Sequence, residues 1–260
     1  LIYILPMTKK QKKIWITGAS SGIGKALTIK FANQGWEIAA SARRENLLKE
    51  LNHIHHNIHP FPVDVTNSTN VKKVFDEIIN KFKTIDICVF SAGVNYAQFE
   101  NNLSEEKIRN SMEVNFFGTV NCIIAVNNFF KKKGEGHVSM IASLAGYRGL
   151  PSKSGYCASK AALINFAESI YLDFKRYGIK VTVINPGFIK TPMTDKNNFN
   201  MPMIKSAEFA AEKIFEGLTG KGSFEIHFPK IFSFMIKFLR ILPIGFYFKI
   251  IELANKRTKH

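Results

Sequence analysis

The chain has 260 residues, of which 46% are hydrophobic and 22% are charged. These proportions are typical of a globular protein and exclude a disordered or fibrous chain, and the length suits one α/β domain. The formal net charge of +16 favours an anionic cofactor, an acidic membrane surface or nucleic acid as a partner. Because no zinc-finger spacing or recognition-helix pattern accompanies the basic residues, we expect no nucleic acid binding.

The first six residues are apolar, but they are too few for a signal-peptide core or a membrane span. Met7 precedes a polar, basic stretch, and we therefore predict that translation starts there. A short tail that touches a membrane is the alternative. We assign residues 1–11 to an N-terminal tail.

Residues 12–16, which are first basic and then apolar, predict a first buried strand. A glycine-rich turn follows, and in residues 25–32 the apolar residues recur at helical spacing. Glycines allow the backbone to approach a pyrophosphate closely, and the helix N-terminus offers free N–H groups. An ordinary Gly/Ser-rich loop is the alternative. The predicted phosphate-binding residues are Gly18, Ser20, Ser21, Gly22, Ile23 and Gly24.

The second strand, near residues 38–40, is followed by Ser41, Ala42, Arg43 and Arg44. An NAD-selective site usually has an acidic residue in this region, and none is present. Since a guanidinium group suits phosphate, we predict NADP(H) as the preferred cofactor and NAD(H) as the alternative. Arg43 is the first candidate for the 2′-phosphate, Ser41 supports it, and Arg44 is a further candidate. The alternative is that both arginines simply face solvent.

Four histidines lie where a helix should give way to the third strand, without a companion cysteine or acid. We interpret them as local loop composition, and we predict no metal site. These residues are His53, His55, His56 and His59.

Nearly continuous apolar runs at residues 87–90, 137–141 and 181–184, and a last strand near 224–228, alternate with helical stretches. The pattern predicts one parallel, doubly wound α/β sheet of about seven strands with helices on both faces. Its ligand crevice should lie at the carboxyl ends of the strands. Groups that directly follow strands should converge there, namely Ser91, Ala92, Gly93, Ser143, Pro186 and Gly187.

The three cysteines, Cys88, Cys122 and Cys157, form an odd set without a C-x-x-C pair. They favour reduced thiols in a cytoplasmic protein over a disulfide framework. Cys157 adjoins Tyr156, and we expect it to pack in the core.

Tyr156 and Lys160 stand at i and i+4, so on a helix they share a face. A cation beside a phenol favours the phenolate and lowers the phenol pKa, which suits general acid–base catalysis. We predict that Lys160 acts on Tyr156 in this way. Alone, this spacing is a weak signal, because any helix can carry it by chance.

With these motifs the chain resembles the classical short-chain dehydrogenase/reductase family over nearly all of residues 12–228. One departure is Ser91, where the family usually has an asparagine that steadies the central strand, and this change bears on local packing more than on catalysis. The matching positions are Gly18, Gly22, Gly24, Asp64, Val65, Ala92, Gly93, Asn115, Ser143, Tyr156, Lys160, Pro186, Gly187 and Thr191.

The resemblance implies a Rossmann-type domain over residues 12–229 and a catalytic set of four residues. Tyr156 would exchange a proton with the substrate oxygen, and Ser143 would hydrogen-bond that oxygen. Lys160 would hold the nicotinamide ribose, and Asn115 would anchor a water. Further implied cofactor contacts are Asp64 and Val65 at the adenine, Ala92, Gly93, Ile189 and Thr191.

Residues 230–260 predict a basic amphipathic helical pair, too interrupted by charge to span a bilayer. The first helix has one polar side, formed by Lys230, Ser233, Lys237 and Arg240. Its other side consists almost wholly of Phe, Ile, Leu and Met. The second has Gly245, Lys249, Glu252 and Lys256 on its polar side.

Three interpretations of this extension stay open. They are peripheral contact with the inner face of a membrane through residues 230–257, a dimer interface, and an apolar wall over the active site. Each favours a lipophilic small-molecule substrate: a long-chain, 3-oxoacyl, sphingoid or steroid-like carbonyl or alcohol. The sequence thus predicts an NADP(H)-dependent oxidoreductase that forms a homodimer or homotetramer. Alternatives are a non-catalytic dinucleotide sensor or scaffold, or an enzyme for a small polar carbonyl such as a sugar.

Overall fold

A computed structural model describes residues 11–96, 103–195 and 201–256. The predicted N-terminal tail, with Met7, lies outside these residues except for Gln11, and residues 257–260 of the predicted extension lie outside them too. Seven parallel strands form one sheet in the order β3-β2-β1-β4-β5-β6-β7. The doubly wound α/β fold is therefore confirmed. The strands are β1 (Lys13–Thr17), β2 (Glu37–Ser41), β3 (Ile58–Pro60), β4 (Ile87–Phe90), β5 (Gly136–Ile141), β6 (Ile179–Pro186) and β7 (Glu225–Phe228).

Helices follow most of the strands and cover both faces of the sheet. They are α1 (Gly22–Asn33), α2 (Glu45–Ile54), α3 (Ser68–Phe82), α4 (Glu105–Met112), α5 (Gly118–Lys133), α6 (Ser154–Lys175), α7 (Ala207–Thr219), α8 (Lys230–Ile241) and α9 (Ile244–Lys256).

The two faces of the sheet carry separate apolar layers because successive strand residues point in opposite directions. On β1, Trp15 packs against Phe75 of α3 with ring centroids 5.6 Å apart. Its neighbours Ile14 and Ile16 lie in the opposite layer, with Leu27 of α1. Burial on both faces explains the continuous apolar runs in the sequence.

Two helical segments carry residues of the predicted site. Helix α6 begins at Ser154 and so includes both Tyr156 and Lys160, as their spacing predicted. Asn115 lies in the long helical run over residues 105–133, at a π-helical turn, Glu113–Phe117, that joins α4 to α5. Such wide turns often occur at functional sites.

The histidine cluster has a structural role at one position. His59 lies in β3, where its Nε2 is 2.5 Å from Glu37 Oε2 and its ring meets Phe82 edge-on. Over residues 11–96, 103–195 and 201–256, no group of three or more His, Cys, Asp or Glu side chains is arranged to hold a metal ion. The three cysteines are buried and free, Cys157 among them.

The orientation of helix α8 differs from what its polar and apolar sides would suggest. Ser233 of α8 is fully buried, and Lys237 forms an ion pair with Glu225 of β7. This part of the predicted polar side therefore faces the protein body, while most of the apolar side of α8 faces outward. Within the described part of the chain, none of the helices is long and apolar enough to cross a bilayer.

Candidate active site

The strand ends and the loops that follow them enclose a cavity of about 360 Å³. Every residue predicted for the site lines it except Asn115. This convergence follows from the topology, because parallel strands present their carboxyl ends at one edge.

The glycine-rich turn is held in a shape that larger side chains would obstruct. Gly18 and Gly22 have φ values of +70° and +54°, a region that L-residues with a Cβ rarely adopt. A Cβ on Gly24 would lie 2.2 Å from the carbonyl oxygen of Gly18. Helix α1 can thus begin directly at the turn and present its N–H groups to the cavity.

Arg44 bridges the turn and the end of the second strand. Its Nη2 donates hydrogen bonds to Ser20 Oγ at 2.9 Å and to Ser21 Oγ at 3.0 Å. Arg43 also lines the cavity, and both arginines are exposed. Ser41 is fully buried and accepts a hydrogen bond from Trp15 Nε1 at 2.9 Å. The hydrogen bonds therefore distinguish the two arginines, and Arg44 lies on the glycine-rich turn.

The backbone at Ser91 is tied to the first strand. Thr17 Oγ1 accepts hydrogen bonds from the N–H groups of Ser91 and Ala92, at 3.1 and 3.4 Å. These bonds need no asparagine side chain at position 91. The departure at Ser91 therefore leaves the turn after β4 anchored through its main chain.

Asn115 lies behind the cavity wall and organises it. Its Oδ1 accepts from the Val94 N–H at 2.7 Å, and its Nδ2 donates to Val94 O at 3.0 Å and to Ser159 Oγ at 2.9 Å. Asn115 thus joins the loop after β4 to helix α6. Its implied role in anchoring a water stays a prediction.

Ser143 and Tyr156 meet through their hydroxyl groups. Burial raises the pKa of Tyr156 to about 12, and the hydrogen bond with Ser143 opposes that rise. The Ser143 Oγ also accepts from the Ala145 N–H at 3.1 Å. A neutral phenol beside a hydroxyl is thus presented to the cavity at neutral pH.

Lys160 lies in the same region, but the pKa of Tyr156 is raised by burial and not lowered as the spacing predicted. Its Nζ donates to the carbonyl of Ile141 at 2.7 Å and is 5.7 Å from the centre of the Tyr156 ring. Burial lowers the pKa of Lys160 itself to about 7. The amine is therefore only partly protonated at neutral pH and offers the phenol less than a full charge.

Sequence reasoning missed several apolar walls of the cavity. They carry no polar motif, and only their positions beside predicted residues offered a signal. These residues are Val94, Val114 and Ile141.

The fold and this cavity define a nucleotide-binding type of α/β protein with paired serine and tyrosine hydroxyls at the strand ends. The family model described as short chain dehydrogenase matches residues 12–201. The chain therefore belongs to the short-chain dehydrogenase family of oxidoreductases.

Three relatives share about a third of their aligned residues with this chain. An uncharacterized oxidoreductase of Myxococcus xanthus is 32% identical over 88% of this chain and 91% of the relative. A 3-oxoacyl-(acyl-carrier-protein) reductase of Thermotoga maritima is 33% identical over 83% of this chain and 87% of the relative. A 3-ketodihydrosphingosine reductase of Bacteroides thetaiotaomicron is 33% identical, covering 72% and 67%.

Solved structures agree in fold. A Burkholderia cenocepacia short chain dehydrogenase in complex with NADP has a TM-score of 0.80 and 24% identity, covering 92% of this chain and 97% of that one. A Burkholderia phymatum relative in complex with NAD also has a TM-score of 0.80, with 21% identity, covering 87% and 92%. Identities this low show a shared fold and leave cofactor preference open.

Proposed function

We propose that this protein is an NADP(H)-dependent oxidoreductase that interconverts a lipophilic carbonyl and its secondary alcohol. The observation that carries the proposal is the hydrogen-bonded pair of Ser143 and Tyr156 at the wall of the cavity, with Lys160 one helical turn further along α6. A hydroxyl pair so placed can hold and protonate one oxygen atom of a substrate.

The residues fit a nicotinamide dinucleotide. The turn would meet its phosphates, and Asp64 and Val65, which line the cavity, would border its adenine. A Cβ on Gly93 would lie 3.2 Å from Asn115 Oδ1 and 3.6 Å from Lys160 Nζ, so the glycine leaves space beside the amine. When bound, the dinucleotide supplies the hydride that the substrate carbonyl carbon accepts.

The protein's own part of the reduction is proton delivery. Because burial holds the pKa of Tyr156 near 12, the phenol is protonated at neutral pH, which is the form that donates. Tyr156 gives its proton to the carbonyl oxygen, and Ser143 stabilises the charge that develops there. Lys160, with its pKa near 7, can hold a proton for resupply to the phenol.

Preference for NADP(H) rests on Arg44. Its guanidinium already lies on the turn through Ser20 and Ser21, and no acid follows β2 to hold a free ribose hydroxyl. The Arg44→Ala variant should raise the KM for NADPH at least about tenfold and change that for NADH little, since a charge-assisted contact to phosphate is lost. Arg43→Ala is the matched control. If the Arg43 variant shows the larger effect, the phosphate is held by Arg43 instead.

A lipophilic substrate is supported by two observations. Relatives named for 3-oxoacyl and 3-ketosphingoid reduction match this chain over more than two thirds of its length. The apolar residues Val94, Val114 and Met193 also line the cavity. A screen of NADPH consumption over carbonyls of graded chain length, with NADH and a sugar-like carbonyl in parallel, tests this substrate class.

Turnover itself is tested by Tyr156→Phe, which removes the proton donor and keeps the ring. The expected loss is about 10²- to 10⁴-fold in kcat, with dinucleotide affinity preserved. Tyr177→Phe, at an exposed tyrosine beyond α6, is the control. If the Tyr156 variant retains full turnover, or if the wild type binds NADPH and reduces nothing, a non-catalytic sensor is the better description.

Subunit association into a homodimer or homotetramer is supported by large exposed apolar side chains on or beside α5 and α6. Phe117, Ile124 and Leu172 are 45%, 66% and 63% exposed, and large apolar side chains left in water are candidates for burial between subunits. The mass in solution of wild type and Ile124→Ser tests this proposal, since a change from oligomer to monomer is expected.

A further inference from the structure

Helix α8 presents an apolar stripe to solvent. Five large side chains recur at helical spacing on one side of this helix and are 47% to 76% exposed: Ile231, Phe234, Met235, Phe238 and Ile241. Helix α9 adds Ile244, Phe246, Phe248, Ile250 and Leu253, which are 40% to 64% exposed. Ten such side chains in one segment of 23 residues far exceed the scattered apolar residues normal for a protein surface.

The stripe faces outward because the opposite side of α8 is tied to the protein body. Lys237 pairs with Glu225, and Glu225 also accepts hydrogen bonds from Tyr147 and Asn185. Ser233 Oγ lies 2.5 Å from Nδ1 of His227. These polar contacts fix the rotation of α8 about its axis and leave its apolar side without cover from the described residues.

A second set of contacts fixes the junction of the two helices. Arg148 donates hydrogen bonds to the carbonyls of Arg240 at 2.7 Å and Leu242 at 3.0 Å. Tyr247 of α9 is buried, and its hydroxyl donates to the carbonyl of Gly149. Arg148 and Gly149 belong to the loop that follows Ser143, so the helical pair is attached directly to the segment that carries the site.

The helical pair also reaches the wall of the cavity. Phe232 of α8 lies against Phe188 with ring centroids 5.7 Å apart. A Cβ on Gly187, which lines the cavity, would meet Phe232 at 3.0 Å. The surface formed by α8 and α9 is therefore continuous with one edge of the active site.

We propose that the outward apolar surface of α8 and α9 docks into the interfacial layer of an anionic lipid bilayer, so that the active site receives lipophilic carbonyls dissolved there. Flanking charges favour this occupant over a second copy of the chain. Lys230, Arg240 and Lys249 are exposed beside the apolar surface, and Glu252 is the only acid in α8 and α9. A symmetric pairing would bring these cations toward their own copies, whereas anionic lipid headgroups neutralise them.

Vesicle flotation tests the docking. Wild type should float with vesicles of phosphatidylcholine containing phosphatidylglycerol, and less with phosphatidylcholine alone or at high salt. The double variant Phe234→Ser/Phe238→Ser should lower the partition coefficient by at least about tenfold, because two aromatic side chains no longer leave water. The matched control is Ile54→Ser/Leu103→Ser, which replaces side chains that are 69% and 75% exposed elsewhere on the surface. It should float like wild type.

The substrate part of this inference rests on the proposed function, and the two are separable. The Phe234/Phe238 variant should keep wild-type turnover of a short water-soluble carbonyl but lose at least about tenfold in rate on a long-chain carbonyl embedded in vesicles. Lack of NADPH turnover with every carbonyl refutes the function and leaves the flotation result standing. Equal flotation of variant and wild type refutes the docking, and a variant that changes only its mass in solution assigns the surface to a second copy.

Discussion

The active-site cavity and the C-terminal helices both place polar groups inside the protein, but for opposite purposes. In the cavity, Tyr156 and Lys160 keep few internal bonds and face the space where a ligand fits. Under α8, Glu225 and Lys237 form an ion pair in which the two charges neutralise each other. Buried polar groups that can still form hydrogen bonds are available for catalysis. Buried polar groups whose bonds are all made within the protein instead hold its elements together. Variants of the first group should therefore cost activity, and variants of the second should cost stability.

The largest effect is expected for Lys160→Met, which removes the buried amine. Turnover should fall at least about 100-fold, while the free energy of unfolding at neutral pH should not fall. The amine has a pKa near 7 in the folded protein and an ordinary value of 10.5. The unfolded chain thus holds more protons between these values, so wild-type stability rises with pH across this window and the cost of burial is complete below it.

Thermal unfolding of both proteins from pH 6 to 10 measures this difference. The advantage of the methionine variant should shrink as the pH rises toward 10. A variant that is less stable by the same amount at every pH would show that the hydrogen bond from Lys160 to Ile141 outweighs desolvation, and the contrast between the two regions would fail.

The next effect is expected for Gly18→Ala, which tests the shape of the glycine-rich turn. A Cβ there would lie 2.8 Å from backbone atoms of Ser91 and Ala92, in a residue with φ of +70°. NADPH affinity should weaken at least about tenfold and stability should drop by about 2 kcal/mol or more. Gly35→Ala is the control, because Gly35 has φ of +75° with nothing within 4 Å and should lose only about 1 kcal/mol with no change in NADPH binding.

An intermediate effect is expected for Glu225→Gln, which breaks the attachment of α8. The unfolding free energy should fall by about 1–3 kcal/mol, proteolysis within residues 230–254 should accelerate, and turnover of a soluble carbonyl should stay near wild type. Glu105→Gln is the control, since its pair with Arg109 is exposed and should contribute less than about 0.5 kcal/mol.

The same variant has a predictable pH dependence. Burial alone would raise the pKa of Glu225, but hydrogen bonds from Lys237, Tyr147 and Asn185 bring it below the ordinary 4.5. The wild-type advantage is therefore complete above pH 4.5 and is lost as the pH falls through the folded pKa. An advantage that grows on acidification would contradict the ion pair as the source of attachment.

The smallest effect is expected for Ser91→Asn, which introduces the usual residue of the family. Because Thr17 already holds the main chain of Ser91 and Ala92, stability should change by less than about 1 kcal/mol and turnover by less than about twofold. Thermal unfolding and NADPH consumption measure both. A large gain would show that the side chain at position 91, and not only its backbone, steadies the sheet.

Much of this molecule was predictable from local patterns. The strand over residues 87–90 was predicted with the bounds that the structure gives β4, because a strand buried on both faces must be continuously apolar. The convergence of the glycine turn, Ser143 and Gly187 followed from parallel topology alone. Spacing also placed Tyr156 beside Lys160, because residues at i and i+4 on a helix share a face whatever surrounds them.

Other features depended on contacts between distant residues, which no local pattern contains. Burial reversed the expected direction of the Tyr156 pKa, and an internal bond placed Arg44 rather than Arg43 on the turn. The amphipathic pattern of α8 was evident from the sequence, but not which side would face the protein. Glu225 decided that, because a partly buried carboxylate on β7 needs a cation and Lys237 supplies it. Periodicity thus determined the helices and their two sides, while desolvation and long-range charge pairing determined their orientation.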